Sequence, residues 1–119
     1  GIGAHPSFED KRYFGRRVMK LSPREIEHMI ACQIGGLAAI AALHGQALNH
    51  VKAHGALANL AARERPVADA IANATRAISP DLILLAIANT ELQAAGERAN
   101  LHTVAEGFAD RSYDQAGQL

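Results

Sequence analysis

The sequence predicts an α/β protein in which parallel strands alternate with helices, forming an open sheet or part of a barrel. Three observations carry that prediction. Helical and strand periods alternate along the chain. The continuous apolar run Leu82-Ile83-Leu84-Leu85-Ala86-Ile87 has the length of a strand buried on both faces. Polar residues recur where strands end, at His5, His54 and Glu106, each beside a Gly or Pro turn, which is where α/β enzymes place their chemistry. Right-handed crossovers turn this order into a parallel sheet.

Gly1-Ile2-Gly3-Ala4 reads as a strand end that delivers His5-Pro6-Ser7, followed by the polar loop Glu9-Asp10-Lys11-Arg12 and by Gly15-Arg16-Arg17. The first helix is predicted over 22–44. Ser22 is its N-cap, Pro23 occupies the first helical position and Glu25 stands three residues after the cap. Ile26, Met29, Ile30, Ile34, Leu37, Ile40 and Ala41 recur at helical spacing, and Gly45 ends the run. A short strand is expected over 47–52, a helical turn or two over 56–63, and a second long helix over 66–78, stopped by Ser79-Pro80-Asp81. After the apolar strand at 82–87, Asn89 or Thr90 caps a third helix reaching Ala99. A last strand over 101–105 delivers Glu106-Gly107-Phe108 and the polar loop 109–114. The many alanines let such helices lie close on a sheet at high helix propensity. The chain opens without Met and closes on a turn-like stretch, so both ends read as mid-domain positions.

With 119 residues, 49% hydrophobic and 20% charged, the chain has the composition of a single globular unit. It shows no long apolar run, and no membrane span or secretory signal is expected. Twelve basic residues balance twelve acidic ones, so the electrostatic footprint of a non-specific nucleic-acid binder is missing. The single cysteine, Cys32, lies among helix formers and reads as a buried structural thiol in a reducing, cytoplasmic compartment.

On the second strand the two-residue period puts Leu48, His50 and Lys52 on one face, with His54 following in phase. In an enclosed sheet an ammonium on that face must be paired or meet a polar cavity, which points to a site; the competing reading is an edge strand with a solvated face. His5 has the matching position one unit earlier, and Glu106 two units later with Asp110 and Arg111 just beyond. Gly15-Arg16-Arg17 forms an anion-binding loop or solvates a long excursion. His28 and His44 belong to the outside of the first helix or its C-terminal dipole, and His102 to the surface. Tyr113 is expected to close over the site. No Walker-type phosphate loop occurs.

Gly3-Ala4-His5-Pro6-Ser7, Phe14-Gly15-Arg16-Arg17-Val18-Met19 with Leu21-Ser22-Pro23, His50-Val51-Lys52-Ala53-His54-Gly55-Ala56-Leu57, and Ala105-Glu106-Gly107-Phe108-Ala109-Asp110-Arg111 with Tyr113 resemble, in this order, the LamB/YcsF family. Ala53 stands where that family usually has Pro and Ala58 where it has Tyr. The resemblance implies a partial β/α barrel of the glycoside hydrolase/deacetylase type. Residues 1–119 would be the central part of a single longer domain whose N-terminal portion carries an Asn-Cys-Asp-Leu-Gly-Glu-like motif. An open arc of this kind would leave a sheet edge and apolar surface uncovered.

The activity implied is ATP-dependent opening of the lactam ring of 5-oxo-L-proline to L-glutamate, with ATP as co-substrate and the 5-oxoprolinase B and C subunits as partners. In that frame Glu106 or His54 is the base that activates water, and Lys52 the cationic stabiliser. His5 is an acid/base group or a metal ligand. His50, Asp110, Arg111 and Arg16 bind or orient the substrate, an arginine being suited to its carboxylate. Two alternatives stand beside this one. In the first, His5 and His54, together with an Asp absent from these 119 residues, hold a divalent metal that activates water in an amidohydrolase or deacetylase. In the second, the chain is a non-catalytic, lactam-binding scaffold subunit.

Overall fold

The computed structural model describes residues 1–110 and Ser112. Four strands and four α-helices alternate: β1 (Ile2–Ala4), α1 (Pro23–Leu43), β2 (Leu48–Lys52), α2 (Gly55–Ala61), α3 (Arg65–Ile78), β3 (Ile83–Ile87), α4 (Glu91–Arg98) and β4 (Thr103–Glu106). A single turn of 3-10 helix spans Lys11–Tyr13 in the long loop between β1 and α1. All neighbouring strands pair in parallel, in the order β1-β2-β3-β4. Parallel neighbours that follow one another in sequence, joined by right-handed crossovers, carry all their helices on one face. That is the geometry of a barrel arc, since a doubly wound sheet reverses its strand order midway.

One face of the sheet carries Ala4, Val51, Leu84 and Ala86, all buried under the helices. Ile26, Ile30 and Ile34 of α1, Leu57 of α2 and Ile71 of α3 complete this core with no more than 1% of their surface exposed. The other face carries Gly3, His50 and Ile83 in one row, Lys52, Leu85 and Val104 in the next, and Ile87 beside Glu106 in the last. β3 therefore alternates between buried and half-buried residues, and is not buried on both faces as its apolar run suggested. Its inner-face residues Leu85 and Ile87 line a cleft instead of a packed layer.

The capping box at the start of α1 is formed: the Glu25 amide donates to Ser22 Oγ at 3.3 Å and the Ser22 amide to Glu25 Oε2 at 2.7 Å. Thr90, and not Asn89, caps α4, accepting from the Gln93 amide while donating to the Ile87 carbonyl at 2.7 Å. Asn89 precedes it in the left-handed region at φ 60°. The last strand begins two residues later than expected. Asn100, at φ 54°, ends α4, and the Leu101 amide is spent on the Gly96 carbonyl, so Leu101 packs into the core before pairing begins.

Three expectations about α1 are corrected. Cys32 is exposed, because Met29, Ile30 and Ile34 take up the buried stripe and Cys32 falls outside it. By length and composition α1 is long and apolar enough to cross a membrane, which a search for an unbroken apolar run overlooks. Ile26, Met29, Ile30, Ile34 and Ala41 face the protein core, whereas Leu37 is half-buried and Ile40, which the helical spacing placed in the same stripe, is exposed. His28, His44 and His102 are exposed, as expected.

Candidate active site

A cleft of about 580 Å³ opens at the C-terminal ends of the strands, lined by their inner-face residues and by residues of α2 and α4. It gathers His5, Arg16, His50, Lys52, His54 and Glu106 from four stretches of chain. Lys52 and Glu106 stand on strands that flank β3, and their side chains meet across it, Lys52 Nζ donating to Glu106 Oε2 at 2.8 Å. Both are about three-quarters to two-thirds covered (25% and 32% side-chain exposure for Glu106 and Lys52), so the pair is held on a floor of Leu85 and Ile87 and still faces the cleft. The Phe108 ring lies 5.0 Å from the ammonium. The face of β2 on which Lys52 stands is thus the lining of a polar cleft, and not a solvated edge.

The two strand-end histidines touch. His54 Nδ1 is 3.0 Å from His5 Nε2, and the rings meet edge to face. Each ring is anchored at its other nitrogen: His5 Nδ1 lies 2.7 Å from the Lys52 carbonyl and His54 Nε2 3.0 Å from the Phe14 carbonyl. The backbone supports this arrangement, the His54 amide donating to the Pro6 carbonyl and the Ala56 amide to the Gly15 carbonyl. That close approach needs glycine at 55, which has φ +60° and where a Cβ would stand 2.6 Å from the Gly15 oxygen. His50 lies over Gly3, where any Cβ would fall on its ring.

Arg16 and Arg17 separate. Arg17 makes a bidentate pair with Asp10 (2.8 and 3.0 Å) and stacks over Tyr13, whereas Arg16 lines the cleft with no carboxylate partner among the described residues. Hydrogen bonding from Arg17 holds the Asp10 carboxyl below its ordinary range. Asp110 is exposed beyond β4 and is not part of the cleft wall; Arg111 and Tyr113 lie outside the described residues.

Sequence reasoning missed Gln33. Its side-chain amide closes a reciprocal pair with the Ser7 backbone (3.0 and 2.8 Å), fixing the loop after β1 to α1. The available signal was a polar residue one position before the Ile34 of an apolar stripe. The fit of a divalent ion to His5 and His54 can be judged from their donor set. Each ring spends one nitrogen on a backbone carbonyl, which leaves His5 Nε2 and His54 Nδ1 converging at 3.0 Å, an arrangement that fits two imidazole ligands on one ion. No group of three or more His, Cys, Asp or Glu is placed to hold one among the described residues.

The model of the LamB/YcsF family matches residues 1–119. A protein of Chloroflexus aggregans, named as the A subunit of 5-oxoprolinase, is 51% identical over 118 residues, covering 99% of this chain and 47% of its own length. A protein of the same name from Nitrobacter hamburgensis is 50% identical over 119 residues, with the same coverage. The crystal structure of the lactam utilization protein from Thermus thermophilus superposes with a TM-score of 0.92 at 44% identity, over 98% of this chain and 47% of that one. The chain spans about half the length of the curated relatives it matches. With the family's pattern running over every residue, and the same arc recovered in a solved structure, this chain belongs to the LamB/YcsF family.

Proposed function

We propose that this chain is part of the A subunit of a cytoplasmic 5-oxoprolinase, which opens 5-oxo-L-proline to L-glutamate at the expense of ATP together with the B and C subunits. The observation that carries the reading is the Lys52–Glu106 pair, held at 2.8 Å over an apolar floor in a cleft that also receives Arg16. The names of its relatives supply the substrate class.

A five-membered lactam is a poor electrophile, and transfer of the γ-phosphoryl of ATP to its carbonyl oxygen activates the ring carbon. Water then bonds to that carbon as its proton passes to a base, the C–N bond breaks with the nitrogen gaining a proton, and a second water releases phosphate. Glu106 is suited to take the first proton, since Lys52 keeps its carboxylate oriented toward the cleft. Lys52 is suited to stabilise negative charge growing on the lactam or phosphoryl oxygen. Arg16 is suited to the substrate carboxylate, which a guanidinium binds through two parallel hydrogen bonds.

The test is turnover in the complex reconstituted from full-length subunits, following glutamate and ADP together. Lys52→Met and Glu106→Gln are each expected to lower kcat by about 10²-fold or more. Arg16→Lys is expected to raise KM with a smaller effect on kcat. Glutamate production that needs no ATP and is abolished by chelators would establish the metal-dependent amidohydrolase instead. Undiminished turnover in both Lys52 and Glu106 variants would make the chain a scaffold.

A further inference from the structure

Asn59 is the only polar side chain of α2. Leu57, Leu60 and Ala61 of that helix are buried in the core, whereas Asn59 is exposed and lines the cleft. Its neighbours on the helix surface are Gly55 one turn before it and Ala62 one turn after, with Ala58 beside it, and all three line the cleft as well. Side chains this small neither cover the Asn59 carboxamide nor offer it a partner, and among the described residues it makes no hydrogen bond.

A primary carboxamide carries a C=O acceptor and an N–H donor side by side in one plane. The amide of a five-membered lactam is held cis by its ring, so its N–H and C=O point to the same side and present the reverse pattern. The two fit together through a pair of parallel hydrogen bonds. No other side chain lining the cleft among the described residues can make that pair. Lys52 and Arg16 only donate, and the Glu106 carboxylate only accepts. The Thr90 hydroxyl is spent, donating to the Ile87 carbonyl and accepting from the Gln93 amide. The two nitrogens of an imidazole, on His5, His50 or His54, lie on diverging sides of the ring and cannot both reach one cis amide.

We propose that Asn59 is a specificity-determining residue that recognises the secondary amide of a lactam, resting on the 5-oxoprolinase reading for the identity of the ring. The Asn59 side-chain oxygen accepts from the ring N–H, and its nitrogen donates to the lone pair of the lactam oxygen on the same side. The second lone pair of that oxygen stays free for activation. The rest of such a ligand also has counterparts in the cleft: Leu85 and Ile87 form a floor for the ring methylenes, and Arg16 offers its guanidinium to the carboxylate. A lactone puts a ring oxygen where the lactam has N–H, so a lone pair would face the Asn59 oxygen. Glutamate has no cis amide, so the pair is lost as the C–N bond breaks.

The test compares two ligands that differ at this one position, 5-oxo-L-proline and its lactone counterpart 5-oxotetrahydrofuran-2-carboxylate. Their binding to the complex assembled from full-length subunits is measured by calorimetry without ATP. The wild type is expected to prefer the lactam by about 10²-fold or more, as a site that hydrogen-bonds a substrate N–H does. Asn59→Leu is expected to weaken lactam binding by about tenfold or more and to bring the ratio of the two affinities close to one. Asn59→Ala should give the same ratio, which separates loss of the carboxamide from obstruction of the cleft by leucine. General loosening of the site weakens both ligands alike, because they share the ring and the carboxylate, and so leaves the ratio in place. A wild-type ratio near one, or a lactam preference that survives in both variants, would overturn the role of Asn59 and leave the 5-oxoprolinase reading standing. A complex that binds neither compound and turns over no 5-oxo-L-proline would refute that reading, and this inference with it.

Discussion

Asp10 offers two oxygens to one guanidinium, and the consequence can be measured with acid. Because Arg17 lowers the Asp10 pKa in the folded state, this group favours folding above its ordinary value of about 4 and ceases to do so as pH falls through its lower folded value. Thermal unfolding followed downward from neutral pH should show this loss in the acid range, and Asp10→Asn should flatten that part of the profile. Gly3→Ala should drive the His50 ring off the strand, because the new Cβ falls on it, and shift the His50 resonances while Ala4 stays in register. At this scale the sequence disclosed the residue types of the cleft but not their pairing. His5, His54, Lys52 and Glu106 were legible because strand ends converge. That Arg17 would be used on Asp10 while its neighbour Arg16 stays in the cleft depends on the left-handed turn at Phe14 and Gly15 (φ 58° and 68°), which no spacing rule encodes.

Elements were legible wherever local chemistry decides them. The Ser22 box, Pro23 and the Gly45 stop fix α1 from within the segment, and Ser22→Ala should destabilise the protein by about 1 kcal/mol in denaturant unfolding. Boundaries set by packing were less legible, as at Leu101, whose burial delays β4. α4 shows how tightly packing can constrain an element. It approaches the sheet so closely at Gly96 that a Cβ there would press directly on Thr103 Oγ1 and stand 2.9 Å from Leu84 Cδ2. Gly96→Ala should therefore be destabilising by about 1–3 kcal/mol in spite of alanine's better helix propensity. Adding Thr103→Ala should recover part of the loss, a non-additivity that unfolding midpoints of the two single variants and the double variant would reveal.

For the molecule as a whole, the arc has two edges and one uncovered face. β1 and β4 each have a parallel neighbour on one side only among the described residues, and a parallel edge leaves a row of amides and carbonyls able to pair with another chain. Beside the edge at β4, Val104 is 39% exposed; at the far end of α1, Ile40 and Leu43 are 59% and 83% exposed. Apolar surface next to an open edge is the combination that drives association, and the balanced formal charge provides no net repulsion to oppose it. The 119-residue chain should therefore associate as its concentration rises, which sedimentation velocity over a dilution series would detect. Val104→Lys places a charge on the inner row of β4 without touching the buried face, and should shift the distribution toward monomer. Leu43→Glu on α1 acts at the opposite side of the molecule. If association runs through the sheet edge, Val104→Lys reduces it and Leu43→Glu leaves it in place; the reverse pattern would assign it to the helical face, where α1 meets α3 near the exposed Ile78.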